Sequence, residues 1–145
     1  MKELIKTVLS RLDSVPMWVN GLICRWGIAG VFWRSGQTKV HGFFEMDPST
    51  YDLFRDEYKI PLVPPDIAAV MATISEHLFS ALLVIGLASR LSAGALFGMT
   101  VVIEIFVYPD SWPDHLMWSA ALLFIIFQGP GKVSVDHLIR RKFLS

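Results

Sequence analysis

One cysteine in 145 residues, Cys24 within an apolar run, excludes a disulfide framework, a Cys-x-x-Cys redox pair and a thiolate metal cluster. Any redox chemistry has to come from something bound. Charge is scarce as well: 18% of the residues are Asp, Glu, Lys or Arg and the formal net charge is zero, so the basic surface that nucleic acid requires is missing. No small-residue cleavage pattern follows the first apolar run, and residues 1–13 read as a short amphipathic stretch ahead of an uncleaved anchor. Nucleotide and metal-ligand motifs are absent, and the four histidines are scattered. What is abundant is apolar surface. At 53% hydrophobic residues and a mean hydropathy of +0.49, a chain of one-domain length is too apolar for water and implies lipid as its solvent.

Four stretches approach the roughly 20 apolar residues that a helix needs to cross a bilayer: 15–35, 66–88, 91–108 and 113–128. Pro16, Pro64, Pro65 and Pro113 stand near their starts, where a missing N–H costs little, and Gly129, Pro130 and Gly131 form a sharp stop. The expected fold class is all-α, one membrane-embedded four-helix bundle over 1–145. Its longest connection, 36–65, mixes Phe43, Phe44, Tyr51, Phe54 and Tyr58 with acids and prolines. This connection is expected to cap the outer mouth, with a short helix over 49–58. At the far end Ser134 is placed to N-cap an interfacial helix running through Phe143, with Leu138, Ile139 and Phe143 toward the membrane and Arg140, Arg141 and Lys142 toward anionic head groups.

The informative residues are charges at membrane depth. Arg25 lies near the middle of the first stretch and Glu76 near the middle of the second, where an unpaired charge costs from roughly 2.5 to more than 10 kcal/mol. Pairing the two is the expected solution. At 100° per residue Gly21, Arg25, Ala29, Phe32 and Gly36 share one face, and Lys39 returns to it if the helix continues. Ala69, Thr73, Glu76 and Ser80 make a matching stripe on the second helix. Thr100, Glu104 and Tyr108 follow at i, i+4 spacing on the third, while Asp114 and His115 open the fourth at the level of Glu104. Arg25, Lys39, Glu76, Glu104 and His115 are therefore the candidate binding site, a polar cavity facing the outer side and closing at Arg25 and Glu76. No catalytic residue and no metal site are assigned. His77 reads as a packing residue, and Arg34, half a turn from Arg25, as a side chain reaching the outer head groups.

At these residues the chain resembles the DoxX family of small four-helix membrane proteins, from about Gly21 to Asp136. The motifs are Arg25 followed by Gly36 and Lys39; Glu76 followed by Gly86, Leu87, Ala88, Ser89 and Arg90; and the run Gly129, Pro130, Gly131, Ser134 and Asp136, the most specific of the three. The resemblance implies membrane subunits linked to thiosulfate or sulfide oxidation with quinone as acceptor, companions of oxidative-stress or metal-responsive proteins, or assembly factors. This chain has no long soluble extension and no cysteine pair, which sets it apart from a complete thiosulfate-oxidising enzyme.

Three functions stay open. The first is a redox-associated inner-membrane subunit that binds a quinone, not covalently, in a slot with a few polar groups. There Arg25 and Lys39 would meet carbonyl oxygens, and Glu76, Glu104 and His115 would relay protons. The second is a carrier, chaperone or scaffold for a partner protein or small solute. The third is a metal-handling protein using His41, Glu104, Asp114 and His115. The expected partners are the lipid bilayer and either a second protein or another copy of the chain, with Gly94 and Gly98 suited to self-association or to close packing within one bundle.

Lys and Arg divide unevenly between the connecting segments. Lys2, Lys6, Arg11, Arg90, Lys132, Arg140, Arg141 and Lys142 fall on one side, against Lys39, Arg55 and Lys59 on the other. Both termini are therefore expected in the cytoplasm. Reporter fusions at either end should be active only in the cytoplasm, and an impermeant label should reach a cysteine placed at Asp52; an external terminus would reverse the assignment.

Overall fold

A computed structural model describes residues 1–42 and 44–143; Phe43, Leu144 and Ser145 lie outside the described residues. Helices α1 (Lys2–Asp13) and α2 (Met17–Gln37) meet at a bend of 58°. Pro16 sits at the break and disfavours helical backbone at Val15 before it. A two-residue antiparallel ribbon follows, β1 (Val40–His41) with β2 (Glu45–Met46), then α3 (Pro48–Leu53) and one π-helical turn, Phe54–Tyr58. The remaining elements are α4 (Pro65–Ile85), α5 (Ser89–Phe106), a 3-10 turn at Pro109–Ser111, α6 (Trp112–Gln128) and α7 (Val135–Phe143). The four long helices match the expected stretches to within a turn. The ribbon was not expected.

Helix α2 packs on α4 and α6, and α5 on the same two, so the four close into a ring. Ile28, Phe32, Leu83, Leu96, Leu122 and Ile125 fill its centre. Polarity then runs opposite to that of a water-soluble bundle. Arg25, Lys39, Thr73, Glu76, Ser80 and His115 are buried, while Ile23, Met71, Leu78, Leu116, Met117 and Phe127 face outward. An apolar exterior of this extent is favourable only in lipid. Helices α4 and α5 are each long and apolar enough to cross a membrane, and α1 with α2 meets the same criterion as a bent pair. Gly94 and Gly98 face outward, where an added Cβ would meet nothing, so they do not serve packing inside the bundle.

The register between α2 and α4 decides which buried groups meet. Ser35 contacts Glu76, the ring of His77 fills the space that a Cβ on Gly36 would need, and Trp26 Nε1 donates to Val84 O. These pairs place α2 about nine residues, roughly 13 Å at 1.5 Å per residue, away from an end-to-end alignment with α4. The first turns of α4 thus overhang α2, and Ala68 and Ala69 pack there against Phe54, with Tyr51 and Tyr58 around them. That overhang carries the cap, at the end of the bundle that the Lys and Arg count leads us to expect on the outer side. Asp47 N-caps α3 by accepting from Ser49 N–H, and the bond from the Ser49 hydroxyl, with that from its N–H second, holds the Asp47 carboxyl below the ordinary range.

At the other end the chain is latched. Helix α4 stops in a Schellman turn in which Gly86 N–H donates to Leu83 O at 3.2 Å and Leu87 N–H to Leu82 O at 3.0 Å. The Asp136 carboxylate accepts from the N–H groups of Ala88 and Ser89, both at 2.8 Å. It thereby satisfies donors that the start of α5 cannot satisfy internally and places a negative charge at the positive end of the helix. Ser134 Oγ accepts from His137 N–H and so caps α7 as expected. Gly131, at φ +82, lies against Trp18, where a Cβ would approach backbone at 3.1 Å.

Gly86 is under two constraints. Its φ of +73° is left-handed, and a Cβ there would come within 2.0 Å of the Arg25 guanidinium and 2.5 Å of Ser134 Cβ. Gly86→Ala should cost roughly 2–4 kcal/mol from strain and overpacking together. The same change at Gly94 should cost no more than a few tenths or should stabilise slightly. Unfolding in mixed micelles measures both, and equal effects would show that Gly86 is not a close-contact position.

Candidate functional site

The site is assembled beneath the outer cap, from the end of α2, the middle of α4 and the turn joining α5 to α6. Lys39 stands just past α2, returned to its buried face by the backbone bond from its own N–H to Gly36 O. Its ammonium donates to Glu76 Oε1 and Oε2 at 3.0 and 2.9 Å, and to Ser35 O and Oγ at 3.1 and 3.0 Å. Ser35 Oγ donates to Glu76 in turn at 2.9 Å. Lys39 is 5% exposed and Glu76 3%. An ion pair this dry is held by its own hydrogen bonds and not by water. The cap is fastened to the same residue, because Lys39 O accepts from Asp47 N–H and Thr50 Oγ.

The expected pairing of Arg25 with Glu76 is not found. Arg25 lies at the opposite end of the bundle, where Nη1 donates to Leu83 O at 3.2 Å and Nη2 to Val133 O. Both side chains sit near the middle of their own helices, but the nine-residue stagger separates their depths. The Leu83 carbonyl, at the C-terminal end of α4 where carbonyls carry partial negative charge, and the Val133 carbonyl give Arg25 acceptors without a carboxylate. Among the described residues Arg25 Nε has no hydrogen-bond partner. Arg25 therefore belongs to the inner latch and not to the cavity, which closes instead at Lys39 and Glu76.

Glu104 and His115 flank the α5–α6 turn and face each other across it. His115 Nδ1 contacts Glu104 Oε2, with the imidazole 4% exposed and the glutamate side chain about one-third exposed. A carboxylate on Nδ1 orients the ring and leaves Nε2 as the position for a further hydrogen bond. The ring also stands edge-on to Trp118, with centroids 4.9 Å apart.

Lys39, Glu76 and His115 line one cavity of about 140 Å³, walled by Phe32, Phe54 and Trp118. Tyr58 and Tyr108 close its outer rim, edge to face at 5.6 Å. The Tyr108 hydroxyl donates to Glu57 on the cap, which, together with a hydrogen bond to Tyr58, raises its pKa above the ordinary phenol value. Glu104 is joined to the cavity through His115. Ser35 and Tyr58 are site residues with no individual mark in the sequence, although the i, i+4 spacing of Ser35 to Lys39 points to the first. His77 packs against Trp33 and Phe44 and bonds Thr73 O and Gln37. His41 lies apart, near Glu45 and Asp47.

A family model described as DoxX matches residues 21–109. A Haemophilus influenzae protein described only as uncharacterized is 29% identical over 143 residues, which cover 92% of this chain and 91% of the relative. No solved structure matches.

Breaking a buried pair strands its other member, so Lys39→Met or Glu76→Leu alone should cost about 3–5 kcal/mol. The double replacement should fall short of the sum by about 1–3 kcal/mol. The cycle of Arg25→Met with Glu76→Leu should show coupling below about 0.5 kcal/mol, as for distant sites. Strong coupling in the second cycle and none in the first would contradict the register described above.

Proposed function

We propose, for a chain that belongs to the DoxX family, that the outer cavity binds the ring of a quinone or quinol and that the Glu104–His115 pair exchanges its proton with the outer side. The protein would then be the quinone-binding membrane subunit of an oxidoreductase, with the electrons passing to or from a partner protein. The observation that carries this reading is the engagement of His115 Nδ1 by Glu104 beside a cavity with aromatic walls.

The residues fit such a ring within limits. A volume of 140 Å³ is below the roughly 300–1,000 Å³ of sites that enclose drug-sized ligands. It suits one ring and leaves an isoprenoid tail to lie among the helices or in lipid. Lys39 is already saturated by Ser35 and Glu76, so it is no free donor, and with Glu76 it presents a neutral, fixed dipole to the cavity. His115 Nε2 supplies the adaptable contact: it accepts from a hydroxyl when the ring is neutral and donates to a carbonyl oxygen when protonated. Glu104 stabilises the protonated ring and, being part-exposed, connects it to water. The bound quinone, when present, contributes the redox couple.

The scaffold reading draws on a different feature, the outer cap, where Leu62 projects fully into its surroundings and Phe44 is half-exposed. Binding measurements separate the two readings. Trp118 lines the cavity, so a short-tail quinone should quench tryptophan emission saturably at one molecule per chain. His115→Ala should weaken that binding about tenfold, as expected for one lost hydrogen bond in a dry site. Quenching that merely follows partition into detergent, and is unchanged in His115→Ala, would refute the quinone reading and favour the scaffold.

A further inference from the structure

The inner end of the bundle holds a second cleft, about 810 Å³, bounded by the starts of α2 and α5, the end of α6 and the first turns of α7. We propose that it seats one anionic phospholipid, with the phosphate held among Arg90, Lys132 and Arg140 and the acyl chains leaving over Met17, Leu91 and Phe124. This is independent of the quinone reading, since the two cavities lie at opposite ends of the bundle and share no residue.

Charge is the first argument. The three cations come from three separate segments, all are exposed, and among the described residues none forms an ion pair. Arg90 makes only a long contact of 3.4 Å with Phe127 O. The one carboxylate in the cleft, Asp136, has both oxygens committed to the N–H groups of Ala88 and Ser89. It lowers the local positive charge without pairing any cation.

Shape and position supply the second argument. The other half of the cleft is apolar, and Leu91 on its edge is 70% exposed, continuous with the outward faces of the bundle. Free phosphate would use the cations and leave that surface idle, whereas a phospholipid matches both halves. The amphipathic helices α1 and α7 mark this level as an interface: Leu4, Leu9 and Leu12 on one, and Leu138 and Phe143 on the other, are exposed. Phospholipid head groups are concentrated there, and each nearby Lys or Arg adds to the attraction for an anionic one.

Native mass spectrometry of the purified full chain in detergent, titrated with phosphatidylglycerol or phosphatidylcholine, tests the proposal. One phosphatidylglycerol per chain should be retained, with about hundredfold preference over phosphatidylcholine, roughly fivefold for each of the three cations. Excess inorganic phosphate should not displace it. Arg90→Ala with Lys132→Ala and Arg140→Ala should abolish the preference. Lys132→Ser with Arg140→Ala, both at exposed positions, keeps the test valid if loss of Arg90 unfolds the latch, and should weaken retention roughly fivefold for each cation removed. Lys2→Ala, Lys6→Ala and Arg11→Ala remove an equal charge from α1 and should leave retention unchanged. Equal retention of the two lipids, displacement by phosphate alone, or an equal loss in the α1 variant would each overturn the site, the last by reducing it to diffuse surface charge.

Discussion

In a bundle surrounded by lipid, a charged side chain on a helix face has to find its partner within the protein. Helices α2 and α4 meet that demand twice, at opposite ends of one interface. Lys39 and Glu76 neutralise each other at the outer end, and Arg25 binds the Leu83 carbonyl near the end of α4 and the Val133 carbonyl in the segment before α7. Neither contact can form unless the two helices are staggered as they are, and neither tolerates a slide by one turn. The rest of the architecture follows from that stagger. It frees the first turns of α4 to carry the cap and the first turns of α2 to receive the Gly129–Gly131 segment.

The two ends are built differently. The inner end is a latch made of backbone caps: a Schellman turn, a carboxylate on two N–H groups and a serine on the last helix. Most of its buried polar groups are matched, with Arg25 Nε and Ser89 Oγ as exceptions among the described residues. The outer end encloses a cavity, and the groups facing it are an ion pair and a histidine already oriented by a glutamate. The inner end carries a cleft of its own, lined by cations and apolar side chains.

The inverted polarity also bears on energetics. Association of the helices gains little from apolar burial when the outward faces are as apolar as the core, so close packing and interior hydrogen bonds carry more of the specificity. Thr73 and Thr100 return their hydroxyls to carbonyls one turn back, which keeps buried positions polar at little cost. Gly36 admits His77 and Gly86 admits Arg25, and these close approaches set the register that the ionic contacts then hold.

Much of this was legible in the amino-acid order, because helical periodicity states which residues share a face. The stripe of Gly21, Arg25, Ala29, Phe32, Gly36 and Lys39 is the buried side of α2, and Ala69, Thr73, Glu76 and Ser80 lie on that of α4. Prolines marked the helix starts and Ser134 its cap, since those signals act over three or four residues. Periodicity fixes an angle and says nothing about axial offset. Matching Arg25 to Glu76 by their mid-helix positions was therefore an error that only tertiary packing could correct, and Lys39, at the end of its stripe, proved to be the partner. The capping of α5 by Asp136 was likewise invisible, because the two segments are 47 residues apart along the chain and meet only when the latch closes.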